Sequence, residues 1–432
     1  MKERSHISQL KEKVGQKVVI AGFIQAVRDQ GGIIFLIIRD ITGTIQCVVL
    51  KGNKEAFDIT KETPLESVVK ITGKAKEEKQ APGGYEVEAE TIEVLSRAGS
   101  ELPIPVVSEK GGEETEITKR LDWRYLDLRK PSNTLIFKVW TSLEKGFREY
   151  FDKAGYIQFY SPSFMNAPSE SGADVFEVKY FDRKAYLAQS PQFYKQMAMA
   201  SGFEKAFSAG PVFRAEQSFT TRHMTEFTGW DFEISYIDSH MDVMAEEENM
   251  IVSGFERIKK DFPGLDITVP KTPFPKLTMK EAKEKLAKAD IKSEKAGDLT
   301  PEEEREINKI VKNETGHEFL FVYDWPQEDR AFYHMRYGKN NEFSKSADLI
   351  YEGVEITTLA QREHRYDVLI KQADERGMSL ETLKDYLSFF KYGCPPHGGA
   401  GIGPGRIIMG ILGLNSVKEA TFVPRDVKRV TP

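Results

Sequence analysis

Cysteine is almost missing: two of 432 residues, Cys47 and Cys394, stand far apart in no metal-ligand spacing. Long apolar runs are missing too. Near the start the longest is Ile33–Ile38, far short of the ~20 residues of a membrane span. The opening MKERSHISQLKEKV has no apolar signal core. Together these predict a cytoplasmic protein with no membrane partner. There is no basic excess, with 61 Lys and Arg against 67 Asp and Glu, so any nucleic acid must be met by local patches. No Walker A loop occurs, and no GxGxxG follows a strand, so ATP, if used, is held by another arrangement. Repeats and low-complexity tracts are absent. What remains is a chain 40% hydrophobic and 30% charged, long enough for two or three domains.

Residues 17–95 read as five strands, Lys17–Val27, Ile33–Arg39, Thr44–Leu50, Ser67–Ala75 and Tyr85–Leu95. They are punctuated at Gly31-Gly32, Thr42-Gly43 and Pro82-Gly83-Gly84, with a short helix near Lys54–Lys61. This predicts an OB-fold over residues 1–97, a barrel that often binds single-stranded nucleic acid; the pattern alone also allows a barrel without ligand. A segment rich in Glu, Pro and Gly from Ala98 to about Thr118 breaks the periodicity and predicts a hinge over 98–131. Lys119, Arg120, Arg124, Arg129 and Lys130 follow it, as an RNA-facing joint or as a solvated surface. Residues 132–432 mix periods 3.6 and 2. Helices are expected at Thr134–Lys153, Gln192–Ser201, Met241–Lys260, Met279–Lys288, Pro301–Asn313, Tyr366–Arg376 and Ser379–Phe390. Strands are expected near Phe319–Tyr323, Asp348–Glu355 and Gly399–Ile402. The fold class is α+β.

From Phe213 to Glu233 the chain reads FRAEQSFTTRHMTEFTGWDFE. Residues favouring β structure, Ala206–Phe213 and Phe227–Tyr236, flank a polar loop, which predicts two strands. Alternation sends Arg214 and Glu216 one way, and Asp231 and Glu233 together. Charge among large apolar residues is costly unless paired, so Arg214 and Glu233 are expected to be buried and engaged. Such a surface has cations for an anion and carboxylates for an amine.

FRAE, TTRH and the D-x-E strand resemble motif 2 of the class II aminoacyl-tRNA synthetases, most closely the archaeal and eukaryotic type of aspartyl-tRNA synthetase. GYIQFYSP (155–162) resembles motif 1 and GAGIGPGR (399–406) motif 3. QSPQFYKQ (189–196) is similar to the family's QSPQLYKQ, and VPRDVKRVTP to its usual ending. The resemblance implies an antiparallel-sheet catalytic domain flanked by helices, over residues 132–432. It also implies ligation of L-aspartate to tRNA through an aspartyl-adenylate, with ATP and Mg2+, in a homodimer formed around Pro162.

Residue roles follow from the same resemblance. Arg214 would bridge the amino-acid carboxylate and the α-phosphate, and Arg406 would stack on the purine and reach phosphate. These two are the catalytic candidates. Arg222 and His223 would hold the γ-phosphate, Glu216 the adenine amino group and Phe227 a purine face, with Met224 and Gly403 completing the ATP set. Glu355 and Thr358 would ligate Mg2+, with Asp348 as a further carboxylate. For aspartate, Glu170 would close over the ammonium, Gln192 would bind it, and Lys195 and Arg362 would meet the side-chain carboxylate. Asp231 would hold Lys195, and Arg214 and Thr358 would border the substrate. A neutral amide would leave the two cations uncompensated, at roughly 2–5 kcal/mol. Phe35, Gln46 and Glu86 match anticodon-reading positions, though alternation alone allows Phe35 as core. Pro82 and Gln25 match the positions that separate aspartate from asparagine tRNA. Pro82 stands where members accepting both carry proline; Gln25 departs from both patterns.

Two further departures stand out. Leu359-Ala360 replaces Gly-Gly, which predicts crowding of the substrate backbone, and Gly405 replaces an acidic residue that helps orient Arg406. Three other functions stay open: an asparaginyl-tRNA synthetase, a catalytically silent RNA-binding paralogue, and an amide-forming enzyme that adenylates aspartate without tRNA.

Overall fold

The computed structural model describes residues 3–107, 114–169, 175–338 and 342–432. The chain divides into two units, Met1–Pro131 and Ser132–Pro432, each with a core of its own. In the first, β1 (Lys17–Asp29), β2 (Ile33–Asp40), β3 (Gly43–Leu50), β4 (Val68–Glu77) and β5 (Tyr85–Ser96) close a barrel in the order β1-β2-β3-β5-β4. Helix α1 (Lys54–Glu62) follows the third strand. Alternation buries Ile34, Leu36 and Ile38 inside and leaves Phe35 and Ile37 on the outer face, so Phe35 is not core.

Two short helices follow, α2 (Ile117–Asp122) and α3 (Arg124–Asp127). They correct the reading of the basic cluster. Arg120, Arg124 and Lys130 are buried, and Asp127 takes Arg120 Nε at 2.9 Å and Arg124 Nη1 at 2.7 Å. Arg129 pairs with Glu66 at 3.0 Å over the Phe23 ring. The local spacing, with one aspartate among the cations, makes an ion-pair knot in place of an open basic face.

The second unit runs α4 (Pro131–Lys153), β6 (Ile157–Gln158), β7 (Phe164–Met165), β8 (Glu177–Tyr180), β9 (Arg183–Leu187), α5 (Gln192–Ala200), β10 (Lys205–Phe213), β11 (Glu226–Ser235) and α6 (His240–Asp261). It continues with β12 (Lys276–Thr278), α7 (Met279–Lys288), α8 (Pro301–Thr315), β13 (Phe319–Pro326), β14 (Phe343–Tyr351) and β15 (Val354–Arg362). Last come α9 (Tyr366–Glu375), α10 (Lys384–Lys391), β16 (His397–Ile402) and α11 (Pro404–Leu412). Eight strands form one sheet, β12-β13-β14-β15-β16-β11-β10-β6, antiparallel except at its two edges. β7, β9 and β8 make a small second sheet. One face of the large sheet packs Trp230, Phe232, Leu359 and Ile402 with the apolar stripe Val139, Leu143, Phe147 and Phe151 of α4. Capping boxes start α6, α7 and α8 at Ser239, Thr278 and Thr300.

The single strand expected at Asp348–Glu355 is a hairpin: β14 ends at Tyr351 and β15 begins at Val354. Glu352 and Gly353 turn at positive φ, a two-residue break with no polar loop to announce it. The helix expected from Ser379 begins at Lys384. Among the described residues no helix is long and apolar enough to cross a membrane.

Candidate functional site

Opposite its packed face, the large sheet floors a cleft of about 850 Å³. Register assembles the floor. Asp231 and Glu233 of β11 lie beside Gly401 and Gly399 of β16, and these pair with Thr358 and Ala360 of β15. A Cβ at Gly399 would collide with the Glu233 carboxylate, so the bare strand is what lets the two acids lie across it. Lys195 of α5 comes down on them, fully buried. Its Nζ pairs with Asp231 at 2.8 Å and Glu233 at 3.4 Å, and donates to the Ala400 carbonyl at 3.0 Å. Arg362 donates from Nε to Glu233 (3.0 Å), from Nη1 to His334 Nε2 (2.9 Å) and from Nη2 to the Gly399 carbonyl (2.9 Å). Burial and the Arg362 cation hold the His334 pKa well below its ordinary value, so a neutral ring accepts that bond.

The two cations therefore already hold two carboxylates, which corrects the expectation that an amide substrate would leave them uncompensated. The carboxylates differ. Burial raises the Asp231 pKa, whereas Arg362 and Lys195 lower that of Glu233. Beside them Gln192 is buried, and its Nε2 has no partner, a donor group awaiting a ligand.

The half of the cleft that holds the residues expected to bind ATP is looser. Arg214 sits where β10 ends, side chain 42% exposed, with Nη1 3.9 Å from Glu216, and its guanidinium lies 5.5 Å from the Phe227 ring centroid. It is thus not embedded among apolar side chains as expected. On the loop, Arg222 pairs with Glu304 at 2.5 Å and Thr220 bonds His223 at 2.6 Å. Burial first, then the cations Arg406 and Arg222, lower the His223 pKa, so that ring is neutral near pH 7. Met224 Sδ accepts from Thr421 at 3.2 Å. Arg406, in the first turn of α11 after Gly403, donates to the Glu355 carbonyl at 2.7 Å and lies 3.8 Å from its carboxylate.

Glu355 and Thr358 are three apart, a spacing that faces opposite ways in a regular strand. A bulge at Ile356, where the register slips between Thr357 and Glu355, returns them to one side, and Thr358 Oγ1 donates to Glu355 at 3.3 Å. A carboxylate and a hydroxyl are hard oxygen donors, a set that fits Mg2+ with room for phosphate and water. Asp348 is committed elsewhere: Arg330 clamps both its oxygens, at 2.9 and 2.6 Å.

Every nominated ATP and aspartate residue borders this cleft except Glu170, which lies outside the described residues. Leu359 and Ala360 do not border it. Leu359 is fully buried in the core, so its size does not crowd the cleft. A Cβ at Gly405 would meet Val417 and Trp140, and Glu355 supplies the group that orients Arg406. Sequence reasoning missed Glu233 and His334 as partners of Arg362, and Glu304 as the partner of Arg222; the D-x-E alternation was the one available hint, for Glu233.

On the barrel, Gln46 donates to Glu86 at 2.7 Å, and Lys76 pairs with Glu86 at 3.2 Å. Phe35 shares this outer face through its pairing with Val48, two residues along β3 from Gln46. Gln25 is the extra residue of a bulge in β1 and accepts from Arg39 at 3.3 Å. Pro82 is exposed in the β4–β5 turn, ahead of Gly83 and Gly84 at φ +82° and +81°.

Residues 116–427 match the family model described as tRNA synthetases class II (D, K and N), and residues 18–95 match that of the OB-fold nucleic acid binding domain. The aspartate--tRNA(Asp/Asn) ligase of Methanopyrus kandleri is 40% identical over 98% of this chain and 97% of its own. The aspartate--tRNA(Asp) ligase of Thermoplasma volcanium is 40% identical over 99% and 100%. Among solved structures, asparaginyl-tRNA synthetase from Pyrococcus horikoshii complexed with asparaginyl-adenylate superposes with a TM-score of 0.92, at 34% identity over all of both chains. A glycine-floored acid and base pocket beside an arginine-lined cleft, matched along nearly the whole chain, makes this protein a member of the class II tRNA synthetases, in the group that handles aspartate, lysine and asparagine.

Proposed function

We propose that this chain ligates L-aspartate to tRNA in two steps. The aspartate carboxylate attacks the α-phosphorus of ATP, pyrophosphate leaves, and aspartyl-adenylate forms. A ribose hydroxyl at the tRNA end then displaces AMP. Neither step needs a protein nucleophile, only alignment and charge neutralisation. The observation that carries this reading is the buried Lys195–Asp231–Glu233–Arg362 network next to Gln192 and Arg214. Gln192 suits the substrate ammonium, Lys195, itself held by Asp231, and Arg362 suit its side-chain carboxylate, and Arg214 the reacting carboxylate and α-phosphate. Arg406, Phe227 and Glu216 suit the adenine, and Arg222 and His223 the outer phosphates. Glu355 and Thr358 would hold Mg2+, which supplies charge neutralisation at the phosphates.

A second reading is favoured by two observations. The four pocket charges cancel pairwise, as a neutral asparagine side chain would also accept, and a neighbouring structure holds asparaginyl-adenylate. The curated relatives named for aspartate favour the first. Exposed Ile157, Tyr160 and Phe164 support a homodimer around the 155–162 segment, and two free cysteines suit the cytoplasm.

The anticodon face of Phe35, Gln46 and Glu86 reads the bases shared by aspartate and asparagine tRNA, and Pro82, without charge or amide donor, leaves the differing base unread. Both tRNAs are therefore charged. Aspartylation of the two purified transcripts at comparable rates is expected. A preference beyond about a hundredfold, ~2.7 kcal/mol at the transition state, would mean that this enzyme discriminates.

A further inference from the structure

No sequence motif points to α8, yet its first turn reaches the nucleotide half of the cleft. Thr300 and Glu303 satisfy each other in the capping box, and the next residue, Glu304, turns inward with its side chain 6% exposed. It takes Arg222 Nη1 at 2.5 Å and faces the Glu355 amide at 3.4 Å. One turn on, Asn308 accepts from the Gly353 amide at 3.0 Å. Gly353, at φ +74°, leaves no room for a Cβ against Arg305. The helix is thus seated on the turn that starts β15, and Glu304 joins the loop arginine to the strand bearing Glu355.

We propose that Glu304 is a positioning residue for ATP: it grips Arg222 and holds the loop arginine toward the triphosphate. This rests on the reading of Arg222 as a phosphate ligand. A guanidinium is a planar fork of five donors, so one edge can be pinned while the rest serves phosphate. Pinning removes side-chain freedom that ATP binding would otherwise have to remove.

Aspartate-dependent pyrophosphate exchange on the full chain tests this. Glu304→Gln is expected to raise the KM for ATP about tenfold and to leave that for aspartate within about twofold. Arg222→Ala should raise the ATP constant at least as much, and the double variant should be no worse than Arg222→Ala alone. An unchanged ATP constant in Glu304→Gln while Arg222→Ala raises it, additive effects in the double variant, or equal rises for both substrates would each overturn the proposal, the last by reducing Glu304 to a structural seat. A normal ATP constant in Arg222→Ala would instead sink the phosphate assignment beneath it. If Glu304→Gln does not fold, Glu304→Asp decides. That variant keeps the charge but shortens its reach, and it should raise the ATP constant selectively; no rise overturns the proposal.

Discussion

The two halves of the cleft are built to different degrees. In the amino-acid half, the side chains of Lys195, Asp231, Glu233 and Arg362 are 1, 8, 0 and 3% exposed, and each is held by an oppositely charged partner. In the nucleotide half, Arg214, Glu216, Glu355 and Arg406 are 42, 35, 32 and 22% exposed, and their ion pairs are near 4 Å. Buried charge must be paired to exist at all, so the charges of the first half are balanced before its ligand arrives. The second, apart from the tight Arg222–Glu304 pair, is left for phosphate to finish. On the proposed function, selection falls to the rigid half and turnover to the open one.

The largest effects should come from breaking the rigid half. Lys195→Ala or Arg362→Ala should lower aspartate activation about a thousandfold or more. Each should also cost about 3–5 kcal/mol of stability, because Asp231 or Glu233 is left buried without its cation. Exchange kinetics and thermal melts check both parts. Normal kinetics, or lost activity at an unchanged melting temperature, would break the contrast.

In the open half, Arg406→Ala should raise the KM for ATP roughly tenfold, about 1.4 kcal/mol, with an unchanged melt. The Arg406 side chain is anchored mainly by the Glu355 carbonyl, and the carboxylate it neighbours, Glu355, is part exposed. A rise confined to the aspartate constant would contradict this placement.

The smallest effect is a pH dependence. Burial raises the Asp231 pKa, and a substrate carboxylate beside it, among Lys195, Glu233 and Arg362, raises it further. Asp231 then binds more proton in the complex than in the free enzyme, so aspartate binding is favoured at low pH. Its KM should rise with pH, by at most about tenfold per unit for one proton. A constant that falls as pH rises would reverse the assignment.

What the sequence made legible was periodic or motif-bound. The barrel strands are short runs of β-favouring residues that largely alternate, with glycine at three of their breaks, so all five were readable, as was the α4 stripe. The site residues were readable through the motifs and not through their own pattern. What stayed hidden depends on contacts between distant segments. His334 meets Arg362 where an isolated bridge joins a turn to a strand end, far apart in the chain. The bulge at Ile356 has no composition signal, yet without it Glu355 and Thr358 would face apart. Asp127 reads as one acid among cations until folding makes it their shared partner.

On the proposed function, the amino-acid half selects a carboxylate although its own charges balance. Pyrophosphate exchange by the purified enzyme, run to full kinetic constants with aspartate and with asparagine, tests that directly. Aspartate should be favoured in kcat/KM by at least about a hundredfold, ~2.7 kcal/mol. Asparagine activated as well as aspartate, or better, would contradict it.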